Sequence, residues 1–242
     1  MIRQLLAPYW HKFYDRMMAG PRRKFYSTLI NPGDLCFDVG ANVGNRTAIF
    51  LDLSAQVVAI EPQPACVKEL TRRFGHRISI VAKGVGSEEG QLPMHISNAS
   101  TLSSFSEDWI NKVQQERFAN YKWPETISVP ITTLDQLIFT YGTPSFCKID
   151  VEGFELEVLR GLTRAIPMLS FEYTVPEAKN NLFKAIDLLS LLATDVRFNY
   201  SAGESMRMVL PEYISRHEFK QLINTPAFEQ SQFGDVYVKS AI

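Results

Sequence analysis

The chain has 242 residues, of which 45% are hydrophobic and 21% charged, ordinary globular usage that excludes a disordered, collagen-like or disulfide-scaffold protein. One hydrophobic core suits that length, so a single domain over residues 1–242 is expected. The formal net charge of -1 gives no global attraction to nucleic acid or to an anionic membrane, and no nucleic-acid partner is expected.

The basic residues are unevenly placed. Residues 1–24 hold Arg3, Lys12, Arg16, Arg22, Arg23 and Lys24 against the single acid Asp15. Within this N-terminal arm, taken as residues 1–33, Leu5, Leu6, Tyr9, Trp10, Phe13, Tyr14, Met17 and Met18 recur at helical spacing as an apolar stripe. The stripe fits packing on the main core, with a homodimer contact or a basic membrane-surface helix as alternatives. Gly20-Pro21 is expected to break the helix. No apolar run approaches the ~18 residues of a membrane span, and no uninterrupted apolar leader is present, so neither spanning nor secretion is expected. Cys36, Cys66 and Cys147 are odd in number and widely spaced, which reads as buried free thiols of a cytoplasmic protein. Four scattered histidines offer no zinc spacing, and no metal ligand is assigned.

From Leu35 short apolar runs alternate with helical segments. Strands are expected at 35–39, 57–60 and 78–81, helices at 46–53 and 64–74, and a Gly-punctuated hairpin at Val85–Ser97. Ser97–Ser128 interrupts the rhythm as an insertion, serine-rich and then helical with Ser106 as N-cap, long enough for a lid or acceptor loop. Its Trp109, Tyr121 and Trp123 either present ring faces to a sugar or pack the lid. Helices at 132–139, 154–162, 179–192 and 211–223 then alternate with strands at 146–150 and 168–173, and two more strands are expected within 196–210 and at 235–240. Such alternation argues for an α/β fold with a mostly parallel sheet covered on both faces, the last two strands closing it as an antiparallel pair.

The first strand runs into "FDVGANVGN". Glycine lets the backbone turn sharply there and approach a ligand without a Cβ clash, and the helix that follows offers free N–H groups. A dinucleotide site would want Gly-x-Gly-x-x-Gly under a pyrophosphate. Here the pattern is Gly40-x-Asn42-x-Gly44, and Asp38 places a carboxylate where an anion would be repelled and an ammonium or sulfonium attracted. Glu61, ending the second strand, suits the two hydroxyls of a ribose and therefore marks a nucleoside without saying which. Farther on, Lys148, Asp150 and Glu152 alternate toward one side of the fourth strand of the rhythm, and Glu172 ends the next. A cluster of carboxylates can raise one member's pKa toward neutrality, as a general base requires, or can hold a divalent cation. The same acids also suit a helix N-terminus with no further role.

The stretches "FDVGANVGNRT", "VVAIEPQP", "ITTLDQLI", "FCKIDVEGFELEVLRGL" and "LSFEYT" together resemble the FkbM family of S-adenosylmethionine-dependent methyltransferases, over roughly Asp34 to Tyr173. The resemblance implies a Rossmann-like fold with a seven-stranded sheet, S-adenosyl-L-methionine as cofactor, and methyl transfer to a hydroxyl of a sugar, glycan or natural product. By position it implies cofactor contacts at Asp38, Gly40, Ala41, Asn42, Gly44 and Asn45, and at Glu61 and Pro62. It assigns no adenine contact after the third strand, where this chain reads "AKGVGSEEG". The competing readings are a nicotinamide-dependent oxidoreductase, a non-catalytic binding module on the same fold, and an RNA 2′-O-methyltransferase, the last disfavoured by the absence of a basic stripe outside the arm.

Overall fold

Strands β1 (Leu35–Val39) and β2 (Gln56–Ile60) show how the layers arise. Period-two alternation sends Phe37, Val39, Val58 and Ile60 into one apolar layer and Cys36, Val57 and Ala59 into the other. The computed structural model describes residues 17–115 and 117–241. Its main sheet has eight strands, adding β3 (Ser79–Val81), β7 (Phe146–Ile149), β8 (Met168–Thr174), β9 (Val196–Ala202), β10 (Ile214–Ser215) and β11 (Phe233–Ser240) in the order β10-β9-β11-β8-β7-β1-β2-β3. The five strands from β3 to β8 are parallel, while β11 runs antiparallel to both β8 and β9. The expected seven strands are all present, and the two-residue β10 makes the eighth.

Helices cover both faces. The helical residues 17–26 (α1), α2 (Asn45–Asp52) and α3 (Pro64–Phe74) lie on one side, where Tyr26, Phe50 and Phe146 meet edge to face with centroids 5.1–5.9 Å apart. On the other side are α5 (Leu134–Tyr141), α6 (Glu155–Arg160), α7 (Lys179–Leu189) and α8 (Arg216–Ile223). No helix among the described residues is long and apolar enough to cross a membrane. All three cysteines are free and buried.

Several expectations need correction. Helix α1 runs straight through Gly20-Pro21, because Arg22, Phe25 and Tyr26 dock the following turn against the core and packing overrides propensity. Most of the apolar stripe proposed for a dimer contact, Leu5 to Tyr14, lies outside the described residues. The hairpin at Val85–Ser97 does not form. Instead β4 (Gly84–Val85) and β5 (Gly90–Ile96) flank β6 (Glu125–Thr132), parallel and antiparallel to it, in a separate three-stranded sheet. The insertion therefore ends before Glu125, and its helix α4 (Glu107–Gln115) is capped by Ser106, whose Oγ accepts from the Trp109 N–H at 3.2 Å. The helix expected at 211–223 starts only at Arg216, after β10, where Ser215 and Glu218 make a reciprocal capping box.

Candidate active site

Winding runs from β1 to β2 to β3 in one direction and from β7 to β8 in the other, so it reverses between β1 and β7. A crevice opens beyond the carboxyl ends of the strands at such a reversal. The turn after β1 enters it with positive φ at Gly40 (81°), Asn42 (48°) and Gly44 (83°). A Cβ on Gly40 would lie 1.8 Å from the Asp150 carbonyl oxygen, so only glycine lets the ends of β1 and β7 come this close. The turn is tied to β2. Gly40 and Ala41 donate N–H to the Ile60 carbonyl, and Asn42 donates its N–H to Glu61 Oε2 at 2.8 Å, while Gln63 donates to Glu61 Oε1 at 2.7 Å.

Asp38 is only 2% exposed and sits beside Lys148 in the β1–β7 register. Its Oδ2 accepts the Thr47 hydroxyl at 2.6 Å. Burial pushes the Asp38 carboxyl up, and Thr47 and Lys148 pull it back. Thr47→Val keeps the shape and removes that donor from a buried acid, and is expected to cost about 1–3 kcal/mol in urea denaturation. Unchanged stability would mean that Thr47 does not support Asp38.

Three cavities share Gly40 as a common wall. The first, ≈ 270 Å³, is charged, with Asp38, Arg46, Lys148, Asp150 and Glu204 among its lining. The second, ≈ 90 Å³, is lined by amides, hydroxyls and two acids, including Gln63, Ser100, Ser103, Asp150 and Glu152. The third, ≈ 30 Å³, is an apolar slot between Ile60, Pro62, Val85, Met94, Phe105 and Val151, with Lys83 at its edge. Serines of the insertion build the middle of this cleft: Ser103 Oγ donates to Gln63 Oε1 at 3.0 Å, Ser100 Oγ donates to Asn42 Oδ1 at 3.3 Å, and Ser104 Oγ donates to the Glu152 carbonyl at 2.6 Å.

Beyond β7 the acids converge. Carboxylate oxygens of Asp150, Glu152 and Glu172 lie within 4.8 Å of one another. Lys148 Nζ, buried under them, donates to Asp150 Oδ2 at 2.6 Å and lies 3.9 Å from Asp235 Oδ1 on β11. Burial works against the Lys148 ammonium, but Asp150 and Asp235 outweigh it and keep the group protonated. Burial would also raise Asp150, yet Lys148 holds it below the usual carboxylate range. Glu152 and Glu172 go the other way, pushed well up by burial and then by the neighbouring acids. One member is thus a fixed anion while the other two hold protons readily. Glu152 has φ 53°, a left-handed conformation uncommon for a non-glycine residue.

Glu155 locks this turn from the helix side, its Oε1 accepting the Val151 and Gly153 N–H groups at 3.1 and 3.2 Å. Burial raises both Glu61 and Glu155 from the ordinary 4.5 to about 7, against the pull of their backbone donors. The folded chain keeps these protons where the unfolded chain releases them, so their contribution is full below about pH 4.5 and lost as pH rises through about 7. Urea midpoints are expected to fall between about pH 5 and about pH 8, and to fall less in Glu155→Gln. A midpoint that rises across that window contradicts the burial argument.

A family model described as the methyltransferase FkbM domain matches residues 38–213. The chain belongs to the FkbM methyltransferase family. Hexuronic acid methyltransferase AglP of Haloferax volcanii is 31% identical over 143 residues, covering 57% of this chain and 54% of that protein, so the match spans about half the length of that relative. Among solved structures, a TehB-like SAM-dependent methyltransferase from Corynebacterium glutamicum has a TM-score of 0.48 at 9% identity, covering 99% of this chain and 100% of that one. Precorrin-6y C5,15-methyltransferase from Geobacter metallireducens gives a TM-score of 0.47 at 10% identity, with 91% and 86% covered.

In this FkbM chain the residues singled out from the sequence separate into three groups. Asp38, Gly40, Ala41, Asn42 and Asn45 line the charged cavity, and Pro62 lines the apolar slot. Gly44 lies behind the cleft, where its missing Cβ makes room for Phe74 and Leu70, and Glu61 is buried beneath it, holding the turn together. Lys148, Asp150, Glu152 and Glu172 form the acid cluster. Arg22, Arg46 and Glu204 were not anticipated. Arg46 Nη2 donates to Glu204 Oε1 and Oε2 at 2.8 and 2.7 Å, and Arg22 Nη2 reaches Oε2 at 3.2 Å, which bolts α1, α2 and the turn after β9 together at the charged end. Burial opposes ionisation of Glu204, but Arg46 and Arg22 hold its carboxyl below the usual range.

Proposed function

We propose that this FkbM chain transfers a methyl group from S-adenosylmethionine to a hydroxyl oxygen of a saccharide. The observation that carries this reading is the order of polarity along the cleft, charged, then hydrogen-bonding, then apolar, with Gly40 common to all three parts. An amino-acid tail, a ribose and an adenine follow one another in that same order. On this reading Asp38, Asn45 and Arg46 hold the charged tail, Gln63 and Ser103 the ribose hydroxyls over the turn that Glu61 holds from beneath, and Pro62, Met94 and Val151 the faces of the adenine.

The bound cofactor supplies an electrophilic methyl group. The chain supplies position and a place for a proton. Lys148 keeps Asp150 ionised, and the turn held by Ser104 and Glu155 aims Glu152 into the cleft as the acceptor of the hydroxyl proton. The relative AglP, named for hexuronic acid, supports a saccharide acceptor. Isothermal calorimetry with S-adenosylmethionine and S-adenosylhomocysteine tests the cofactor assignment. Micromolar or tighter binding of both is expected, and folded protein that binds neither would refute it.

A further inference from the structure

The charged end of the cleft, ≈ 270 Å³, has Arg22, Arg46, Lys148, Asp38, Asp150 and Glu204 on its wall. An amino-acid tail carries its ammonium and its carboxylate on one carbon, so the protein must offer an anion and a cation side by side, both open to the cavity. Two opposite-charge pairs stand there. In Lys148 with Asp150 the cation is buried, its side chain 2% exposed, and it is spent on Asp150 and Asp235. In Arg46 with Glu204 both side chains reach the surface, at 12% and 41% exposure.

The turn that carries Glu204 is fixed. Gly203, at φ 52°, bends the chain back after β9 and donates its N–H to the Phe233 carbonyl at 2.7 Å, and Met206 packs in the same apolar layer as Tyr26 and Phe50. The Glu204 carboxylate accepts Arg46 Nη2 on both oxygens and Arg22 Nη2 on Oε2, three contacts that leave open at least one of its about four acceptor positions. Two guanidiniums against one carboxylate give this cluster a net positive charge, so it attracts a second carboxylate as well. Asp38, where the sequence places the attraction for an ammonium, is buried with Oδ2 taken by the Thr47 hydroxyl, and acts on the tail from beneath.

We infer that Glu204 is a cofactor-binding residue that receives the ammonium of the S-adenosylmethionine tail, while Arg46 and Arg22 take the adjoining carboxylate. The inference rests on the cofactor reading above and does not depend on the acceptor. Isothermal calorimetry on the full chain tests it by comparing S-adenosylhomocysteine with its deaminated analogue, which has hydrogen in place of the ammonium, in wild type and Glu204→Gln. Wild type is expected to favour S-adenosylhomocysteine by about fivefold or more. The glutamine variant should bind S-adenosylhomocysteine about fivefold or more weaker, with the deaminated analogue no weaker than in wild type. Equal losses for both ligands would overturn the inference and leave Glu204 as a bolt between α1, α2 and the turn after β9. Tighter binding of S-adenosylhomocysteine by the variant would overturn it too, since Glu204 would then compete with the cofactor carboxylate for Arg46. Should the variant not fold, equal affinities of wild type for the two ligands overturn it and a fivefold preference for the ammonium upholds it. Wild type that binds neither ligand would refute the cofactor assignment itself.

Discussion

Exchanging Lys148 for methionine is expected to cost the fold about 1–3 kcal/mol, below the range for a fully buried ion pair because the Asp150 side chain is 36% exposed. The lysine is 1% exposed, 2.6 Å from Asp150 Oδ2 and beside Asp38 in the sheet register. Its removal takes away the nearest cation from buried Asp38 and Asp235 and from the partly exposed Asp150, and leaves them only Arg46. The penalty should depend on pH in a definite direction. In wild type the lowered pKa of Asp150 contributes stability that is present above the ordinary carboxyl value and lost as pH falls through the folded value. The variant lacks that contribution, so the gap in unfolding free energy is expected to be larger at about pH 6 than at about pH 3. Urea denaturation at the two pH values measures it. A gap below about 1 kcal/mol at both would place the pair in the class of surface salt bridges and contradict the geometry.

Glu152→Gln is expected to lower kcat by about 10²–10⁴-fold, the usual contribution of a general base, while leaving S-adenosylhomocysteine affinity close to wild type. Of the two acids in the Asp150–Glu152–Glu172 cluster with raised pKa, Glu152 is the one that lines the cleft, and its carbonyl is fixed by Ser104. Because burial and Asp150 push its carboxyl up, wild-type kcat should climb with pH along a limb displaced above the ordinary carboxylate range, as the base loses its proton. The glutamine variant should lose that limb of the profile. Unchanged kcat would move the proton to Glu172, and a loss of cofactor affinity as large as the loss of kcat would make Glu152 a binding residue.

Much of the fold was legible where glycine and proline punctuate apolar runs. β1 and α3 have the boundaries read from sequence, and the antiparallel closure by β9 and β11 follows the expected arrangement. β6 was overlooked although Ile127, Val129 and Ile131 alternate within it, because polar residues between them and Pro130 look like loop. Its partners, β4 and β5, pair with it across 29 to 47 positions, from Ile96 with Glu125 to Gly84 with Ile131, so only the folded chain shows that it pairs. The same limit hid the charged end of the cleft. Arg22 and Arg46 meet Glu204 across 182 and 158 positions, and no local pattern records such a pairing.

The serine-rich run was read as a lid for its length, yet its individual serines are fasteners to Gln63, Asn42 and Glu152. Removing all of 97–128 would therefore also take the first residues of β6 and the wall of the cofactor cleft, and the cleft should not survive the deletion. Trp109 and Trp123, candidates for stacking on a sugar, instead pack with Leu102 and Val113, and Trp123 Nε1 donates to the Leu102 carbonyl at 2.7 Å.

We propose that this chain places a methyl group on a saccharide oxygen. Mass spectrometry of host extracts incubated with the protein and methyl-labelled S-adenosylmethionine tests it most directly. The expected result is a labelled methyl on a sugar hydroxyl, absent when Glu152→Gln replaces wild type. Folded protein that binds the cofactor but labels no sugar, or that labels nucleic acid instead, would contradict it.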